Sequence, residues 1–292
     1  MSTVLGFLRL MRLANVVTAV ADVLAGIAIS GYFSDAGSYY PVLLLCISTI
    51  GLYAGGIIFN DVFDAGLDAI ERPERPIPSG LISVGAATAF GVMFFSIGVG
   101  AAASFQPLSF QIAILIVLAC LTYNRWAKHY TIWGPLNMGL CRGLNLLLGL
   151  SIVTPALTHW WYLGFIPLIY IASITIISRG EVHGGDKKML RIAAVLYATV
   201  VASVLWVSIH MQNVWLTLLF IIPFVLMIFG PLLTAFRIPS ANNIGKAVKA
   251  GVIALILLNA SWAGAFGIWQ VAIVIVLLLP LSLWLSKTFA VT

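Results

Sequence analysis

Ten apolar runs of about twenty residues follow one another along the chain, at about 13–33, 40–60, 81–103, 110–127, 133–153, 160–178, 191–211, 213–236, 247–266 and 268–287. That length is what an α-helix needs to cross the roughly 30 Å of hydrocarbon in a bilayer. Lipid offers no partner to a free backbone N–H or C=O, so such runs fold as helices that satisfy their own hydrogen bonds. Of 292 residues, 62% are hydrophobic and 8% charged, outside the range of soluble globular domains. The expectation is an all-α fold: a polytopic membrane helical bundle of nine or ten transmembrane helices with acidic loops at one end. It forms one domain over residues 1–292, because little chain is left for a second. The joint near Gly267-Ile268-Trp269-Gln270 is tight, so the last two runs read either as full spans or as a ninth span with a hairpin arm.

The basic residues set the topology. Arg9 and Arg12, Arg72 and Arg75, Arg125 and Lys128, Arg179, Lys187, Lys188 and Arg191, Arg237, Lys246 and Lys249, and Lys287 all fall at one set of alternating ends. The opposite connections, near Ser34-Asp35, Gln106, His159, Gln212 and Gln270, contain no Lys or Arg. The positive-inside rule therefore puts both termini on the cytoplasmic side, as in a bacterial cytoplasmic membrane. The formal charge of +6 is scattered between spans rather than gathered in a patch, which argues against a nucleic-acid partner. The first run follows Arg9 and Arg12 without a small-residue cleavage site, and reads as a retained helix. Cys46, Cys120 and Cys141 lie inside apolar runs without metal-ligand spacing, so each reads as a packing residue.

Where the second run ends, the chain reads Asn60-Asp61-Val62-Phe63-Asp64-Ala65-Gly66-Leu67-Asp68, then Glu71, Arg72, Arg75 and Pro76-Ile77-Pro78-Ser79-Gly80. On one continuous helix Asp61, Asp64, Asp68, Arg72 and Arg75 would share an arc of roughly 80°. Carboxylates about 6 Å apart repel by about 3 kcal/mol per pair at an effective dielectric near 20, so the ladder calls for a bound cation or for protons. All-oxygen ligands followed by two Arg favour Mg²⁺ carrying a phosphate over zinc or copper. The plainer alternative is a solvated helix end with pairs such as Asp68 and Arg72, but charge at a membrane edge is rare and usually functional.

Deeper polar residues refine this. Asn15, Thr18 and Asp22 share one face of the first helix by their i, i+3, i+7 spacing. A membrane-buried Asp22 needs a partner, and Arg142, with Asn137 and Asn145 near its face, is the basic residue deep enough to provide one. That pair would be either purely structural or part of a polar substrate cavity. Tyr123 and Lys128 end the fourth run, as interfacial anchors or as groups reaching the pocket of the acidic helix. A second polar segment, Ser178-Arg179-Gly180-Glu181-Val182-His183-Gly184-Gly185-Asp186-Lys187-Lys188, follows the sixth run. Glu181 and Asp186, five residues apart, cannot repeat the first ladder on one helix. His183 reads as a solvated loop histidine.

With these residues in view, the chain resembles the UbiA superfamily of intramembrane prenyltransferases over nearly its whole length. Asn60-Asp61-x-x-Asp64-x-x-x-Asp68 is similar to that family's first aspartate motif, Arg72 through Gly80 to its conserved tail, and Arg12-x-x-Asn15, Tyr123 and Lys128 to shorter signatures. The resemblance implies a helical bundle around a cavity open to lipid. It implies Mg²⁺ bound by Asp61, Asp64, Asp68 and Glu181, and an isoprenyl diphosphate held by Arg72 and Lys128, with Asn60 orienting the first carboxylate. Asn15, Tyr123 and Arg142 would complete the substrate site. Ionisation of the allylic C–O bond would then let the carbocation alkylate an unidentified acceptor. The second motif departs from the family, with Ser178, Glu181 and Gly185 at the expected aspartate positions. Its Arg179-Gly180-Glu181-Val182-His183-Gly184-Gly185 stretch is similar to a divergent branch called EboC-like, which implies a lipid or metabolite export role. Two functions from different classes follow: a Mg²⁺-dependent prenyltransferase, or a non-enzymatic membrane protein that binds or moves a phosphorylated lipid or metabolite. An ion transporter fits less well, because the carboxylates cluster at one edge rather than at the midplane.

Overall fold

A computed structural model describes residues 3–34, 37–181 and 184–288, and every regular element among them is helical. In chain order these are α1 (Thr3–Leu10), α2 (Leu13–Ile29), α3 (Tyr39–Phe63), α4 (Ala65–Glu71), α5 (Val84–Phe105), α6 (Pro107–Arg125), α7 (Trp133–Leu150), α8 (Thr154–Trp160), α9 (Phe165–Ser178), α10 (Lys187–His210), α11 (Val214–Arg237), α12 (Ala241–Ala265) and α13 (Trp269–Thr288). Each of the ten apolar runs contributes a helix. The tight joint near Gly267 separates two full helices, because Gly267 takes φ +79°, a conformation other residues rarely adopt.

Eight helical segments are long and apolar enough to span a bilayer, with α8 and α9 counted as one. A ninth is the pair α1 and α2, bent by 41° at Met11–Arg12. Helix α7 falls outside that set because Asn137, Arg142 and Asn145 dilute its hydropathy. Arg142 and Asn145 are nevertheless buried, so α7 is an interior helix whose polar face meets protein rather than lipid. The chain is an integral, multi-pass membrane protein.

Helices α2, α7 and α12 form the centre. Helix α2 is built largely of Ala, Val and Gly, and this lets it approach α7 at backbone distance. A Cβ added at Gly26 would strike the Leu146 carbonyl, and one at Gly149 the Val23 carbonyl. One apolar core runs from this centre through Tyr170, Tyr197, Phe224 and Trp262. A second joins α2, α3, α5, α6 and α7 through Leu52, Phe95, Ile116 and Leu148.

The acidic segment is not one continuous helix. Helix α3 ends at Phe63, Asp64 sits at its C-cap with φ −89° and ψ 0°, and α4 carries the chain to Glu71. Pro73 then stops it, because the proline ring disfavours the helical conformation of the preceding residue, and Arg72 is driven to φ −145°, ψ 60°. Arg75 thus lies beyond the helix and approaches the aspartates through a loop rather than through helical period. That loop is pinned by burial of Ile77 and Ile82 against Leu10, Ala54 and Ile58, and it turns at Gly80, where φ is +74°.

Candidate active site

The three aspartates stay on one side of the helix break because the backbone bonds continue through it. The Asp64 N–H donates to the Asn60 carbonyl (3.0 Å) and the Asp68 N–H to the Asp64 carbonyl (2.8 Å). Each carboxylate meets a cation brought from elsewhere in the chain. Arg12 Nη2 donates to Asp61 Oδ1 (2.7 Å), which Arg75 Nη1 also approaches (3.5 Å). Arg75 Nη1 pairs with Asp68 Oδ2 (2.7 Å), and Lys128 Nζ pairs with Asp64 Oδ1. Asp61 and Asp68 are buried, and these partners offset the cost of taking their charges out of water.

Local folding places each cation. Arg12 occupies the left-handed region, φ 46°, at the break between α1 and α2, and so points across to the end of α3. Holding a non-glycine residue there costs about 1–3 kcal/mol, which the ion pair with Asp61 offsets. Lys128 sits on a 3₁₀ turn, Ala127–His129, anchored by buried Ala127. Gly134 packs close to the Ala127 carbonyl, and a Cβ there would come within 3.2 Å.

Beside this charged cap lies a cavity of about 280 Å³ between α2, α3, α6, α7 and α9. Arg12, Asn15, Asn60, Tyr123 and Arg142 line it, together with Tyr53, Asn124 and an apolar wall that includes Leu52, Ile116, Ile171 and Ile174. Asn60 Nδ2 donates to Asn124 Oδ1 (3.1 Å), and Asn124 Nδ2 donates to the Gly56 carbonyl (3.0 Å). The Asn60 amide therefore ties α3 to α6 rather than addressing Asp61.

Asp22 and Arg142 meet inside the bundle, with Arg142 Nη1 at 2.7 Å from Asp22 Oδ2. Asn145 and Asn259 also donate to Asp22, at 3.1 and 2.7 Å. Arg142 Nη2 donates to Thr18 Oγ1 (2.7 Å) and to the Tyr53 hydroxyl (2.9 Å), with its guanidinium 4.6 Å from the Tyr53 ring centroid. The pair joins α2, α7 and α12, while Arg142 also faces the cavity.

Arg72 follows the ladder directly, its N–H donating to the Asp68 carbonyl at the end of α4 (2.8 Å), and makes no ion pair with the aspartates among the described residues. Glu181 is exposed, with Gly245 at the start of α12 close to its Oε1. Partial desolvation raises its carboxyl above the ordinary value, and the Arg72 charge pulls it back. Among the described residues no three His, Cys, Asp or Glu groups converge in metal-binding geometry. Asp186 caps α10 by accepting from the Lys188 N–H (2.9 Å), and the Ser178 hydroxyl donates to the Thr175 carbonyl (3.0 Å). His183 lies outside the described residues. The donor set nevertheless suits a hard divalent ion. It is all oxygen, and the cations engage one oxygen of each aspartate, Oδ1 of Asp61 and Asp64 and Oδ2 of Asp68, with no ion pair on the other among the described residues.

Several contributors escaped the sequence as site residues. Arg12 appears there only as a motif fragment, yet it holds Asp61. Tyr53, Asn124 and Asn259 have no charge to draw attention. Their signal was being polar or phenolic within otherwise apolar helices.

The model of the UbiA prenyltransferase family matches residues 19–249. Two relatives are digeranylgeranylglyceryl phosphate synthases. That of Sulfurisphaera tokodaii is 29% identical over 60% of this chain and 61% of its own length, and that of Sulfolobus acidocaldarius 30% identical over 64% and 66%. The chain thus spans a little under two thirds of the length of these curated relatives. Among solved structures, one from work on digeranylgeranylglyceryl phosphate synthase in membranes superposes with a TM-score of 0.67 at 22% identity, over 91% of this chain and 100% of that one. A UbiA homolog from Archaeoglobus fulgidus bound to GPP and Mg²⁺ superposes with a TM-score of 0.61 at 18% identity, over 84% and 99%. With the family model matched across most of its helices and the family's fold reproduced, the chain belongs to the UbiA prenyltransferase family.

Proposed function

We propose that this protein transfers an isoprenyl group from an isoprenyl diphosphate to an acceptor, with Mg²⁺, inside the membrane. The observation that carries the proposal is the juxtaposition of two unlike surfaces: a ladder of Asp61, Asp64 and Asp68 interleaved with Arg12, Arg75 and Lys128, beside a largely apolar cavity. A diphosphate with a hydrocarbon tail needs both. Asp61, Asp64 and Asp68 would hold Mg²⁺, with Glu181 as the carboxylate of the second polar segment. The bound metal supplies Lewis-acid neutralisation of the charge that grows on the departing diphosphate.

The chain's own groups do the remainder. Lys128, Arg72 and Arg12 neutralise phosphate oxygens as the allylic C–O bond ionises. The apolar wall keeps water from the cation. Tyr123, Asn15 and Tyr53 offer neutral hydrogen-bonding groups that orient an acceptor without competing as nucleophiles. Arg142 is balanced by Asp22, so it gives the cavity polarity without a net charge. The names of the relatives point to geranylgeranyl groups on glyceryl phosphate, and these are the donor and acceptor to test first. We further infer that the charged end faces the cytoplasm, since the loop Lys and Arg gather there.

The test is release of diphosphate from geranyl, farnesyl and geranylgeranyl diphosphates by purified protein supplied with geranylgeranylglyceryl phosphate as acceptor, with Mg²⁺ and with chelator. Metal-dependent release carries the proposal. Tight binding without release supports instead the binding or transport function, which the single carboxylate at Glu181 favours. Full turnover by Asp64→Ala overturns the proposed role of the ladder.

A further inference from the structure

Two of the three cysteines have a placement that simple packing does not explain. Cys120 on α6 and Cys141 on α7 both line the cavity. Their Sγ atoms are 3.8 Å apart, and Cys141 Sγ lies 3.9 Å from Asn137 Oδ1. Both thiols are free. Cys46, by contrast, packs into the core from α3 and does not line the cavity.

We propose that Cys120 and Cys141 form a dithiol modification site in the cavity wall, converted by hydrogen peroxide to a disulfide that joins α6 to α7. The step balances. A thiol sulfur takes one oxygen of the peroxide as the O–O bond breaks, giving a sulfenic acid and water. The second thiol displaces that oxygen as a second water, and the S–S bond forms. Two S–H bonds and one O–O bond are lost, and both electrons go to the peroxide.

The sulfurs are already neighbours: a disulfide needs about 2 Å between them, against the 3.8 Å that separates these two. Cys120 rests against α3, where a Cβ on Gly56 would lie 3.0 Å from its Sγ. One turn further along α6, Asn124 holds the Gly56 carbonyl and Asn60. Drawing Cys120 toward α7 therefore reshapes the wall between α3 and α6. It also fixes the α6–α7 hairpin, whose connection carries Lys128 to Asp64. The expected consequence, which rests on the proposed prenyltransferase function, is a reversible loss of donor binding.

The experiment treats Cys46→Ser protein in detergent with hydrogen peroxide and follows thiols by mass spectrometry. The expected result is loss of both remaining thiols, a mass decrease of two hydrogens, a single 120–141 cross-linked peptide, and recovery with dithiothreitol. Persistence of both thiols, or separate sulfinic acids without a cross-link, overturns the site. Cys120→Ser and Cys141→Ser, each in the Cys46→Ser background, must lose the cross-link while keeping the far-ultraviolet circular dichroism of a folded bundle. In the second arm, geranyl diphosphate binding and diphosphate release with Mg²⁺ are both measured before oxidation, after it, and after reduction. A cross-linked protein that binds as tightly as the reduced one overturns the consequence for the cavity. Absence of diphosphate release in both states counts against the prenyltransferase proposal and leaves the dithiol site standing.

Discussion

Replacing Asp22 with Asn tests how the centre of the bundle is held. Asp22 is 0% exposed and accepts from Arg142, Asn145 and Asn259. The substitution keeps the shape and removes the charge, leaving Arg142, 5% exposed, without its counter-ion. Breaking a buried pair on one side costs about 3–5 kcal/mol, chiefly because the other charge is stranded. For a chain of this size each kcal/mol moves the melting temperature by roughly 2–4 °C, so the expected fall is about 6–20 °C. The assay is a melt in detergent followed by tryptophan fluorescence, with fully buried Trp262 on α12 as a reporter of the same region. Adding Arg142→Met to Asp22→Asn removes the stranded cation and should recover part of the loss. A single variant that melts within about 1 kcal/mol of the parent, or a double variant that melts below Asp22→Asn, refutes the account of the network.

Other outcomes follow from the same geometry. Asp64→Ala should lower metal-dependent diphosphate release about a hundredfold or more, the scale of losing one aimed electrostatic group. Arg12→Ala and Arg12→Gly both lose the Asp61 ion pair, but glycine accepts φ 46° without strain. Arg12→Gly should therefore melt above Arg12→Ala, and the reverse order would count against a strained Arg12. Gly149→Val places side-chain atoms on the Val23 backbone and should cost at least about 1–3 kcal/mol in a detergent melt. Glu181, raised above its ordinary 4.5, binds its proton more tightly when folded. Between the unfolded and folded values the unfolded state holds fewer protons, so stability falls as pH rises from 4.5 and levels above the folded value. Melts in chelator should show this slope in the parent and not in Glu181→Gln.

The sequence by itself determined what depends on solvent and on short-range period. Runs of apolar residues must be helices in lipid, so all ten helical segments were legible, with their order and the charge asymmetry of their ends. The aspartate ladder was legible because i, i+3 and i+7 spacing survives even a helix break at Asp64. The tertiary structure decided everything that joins residues distant in the chain. Asp22 and Arg142 are 120 positions apart and Asp22 and Asn259 are 237 apart, and no local propensity encodes their meeting. Arg75 looked like a fifth rung of the ladder, but Pro73 ended the helix and the buried loop beyond it returned Arg75 from another direction. Cys120 and Cys141 read as packing residues because each is apolar in its own helix. Only the crossing of α6 and α7, set by how side chains fill the space between helices, brought their sulfurs together in one wall.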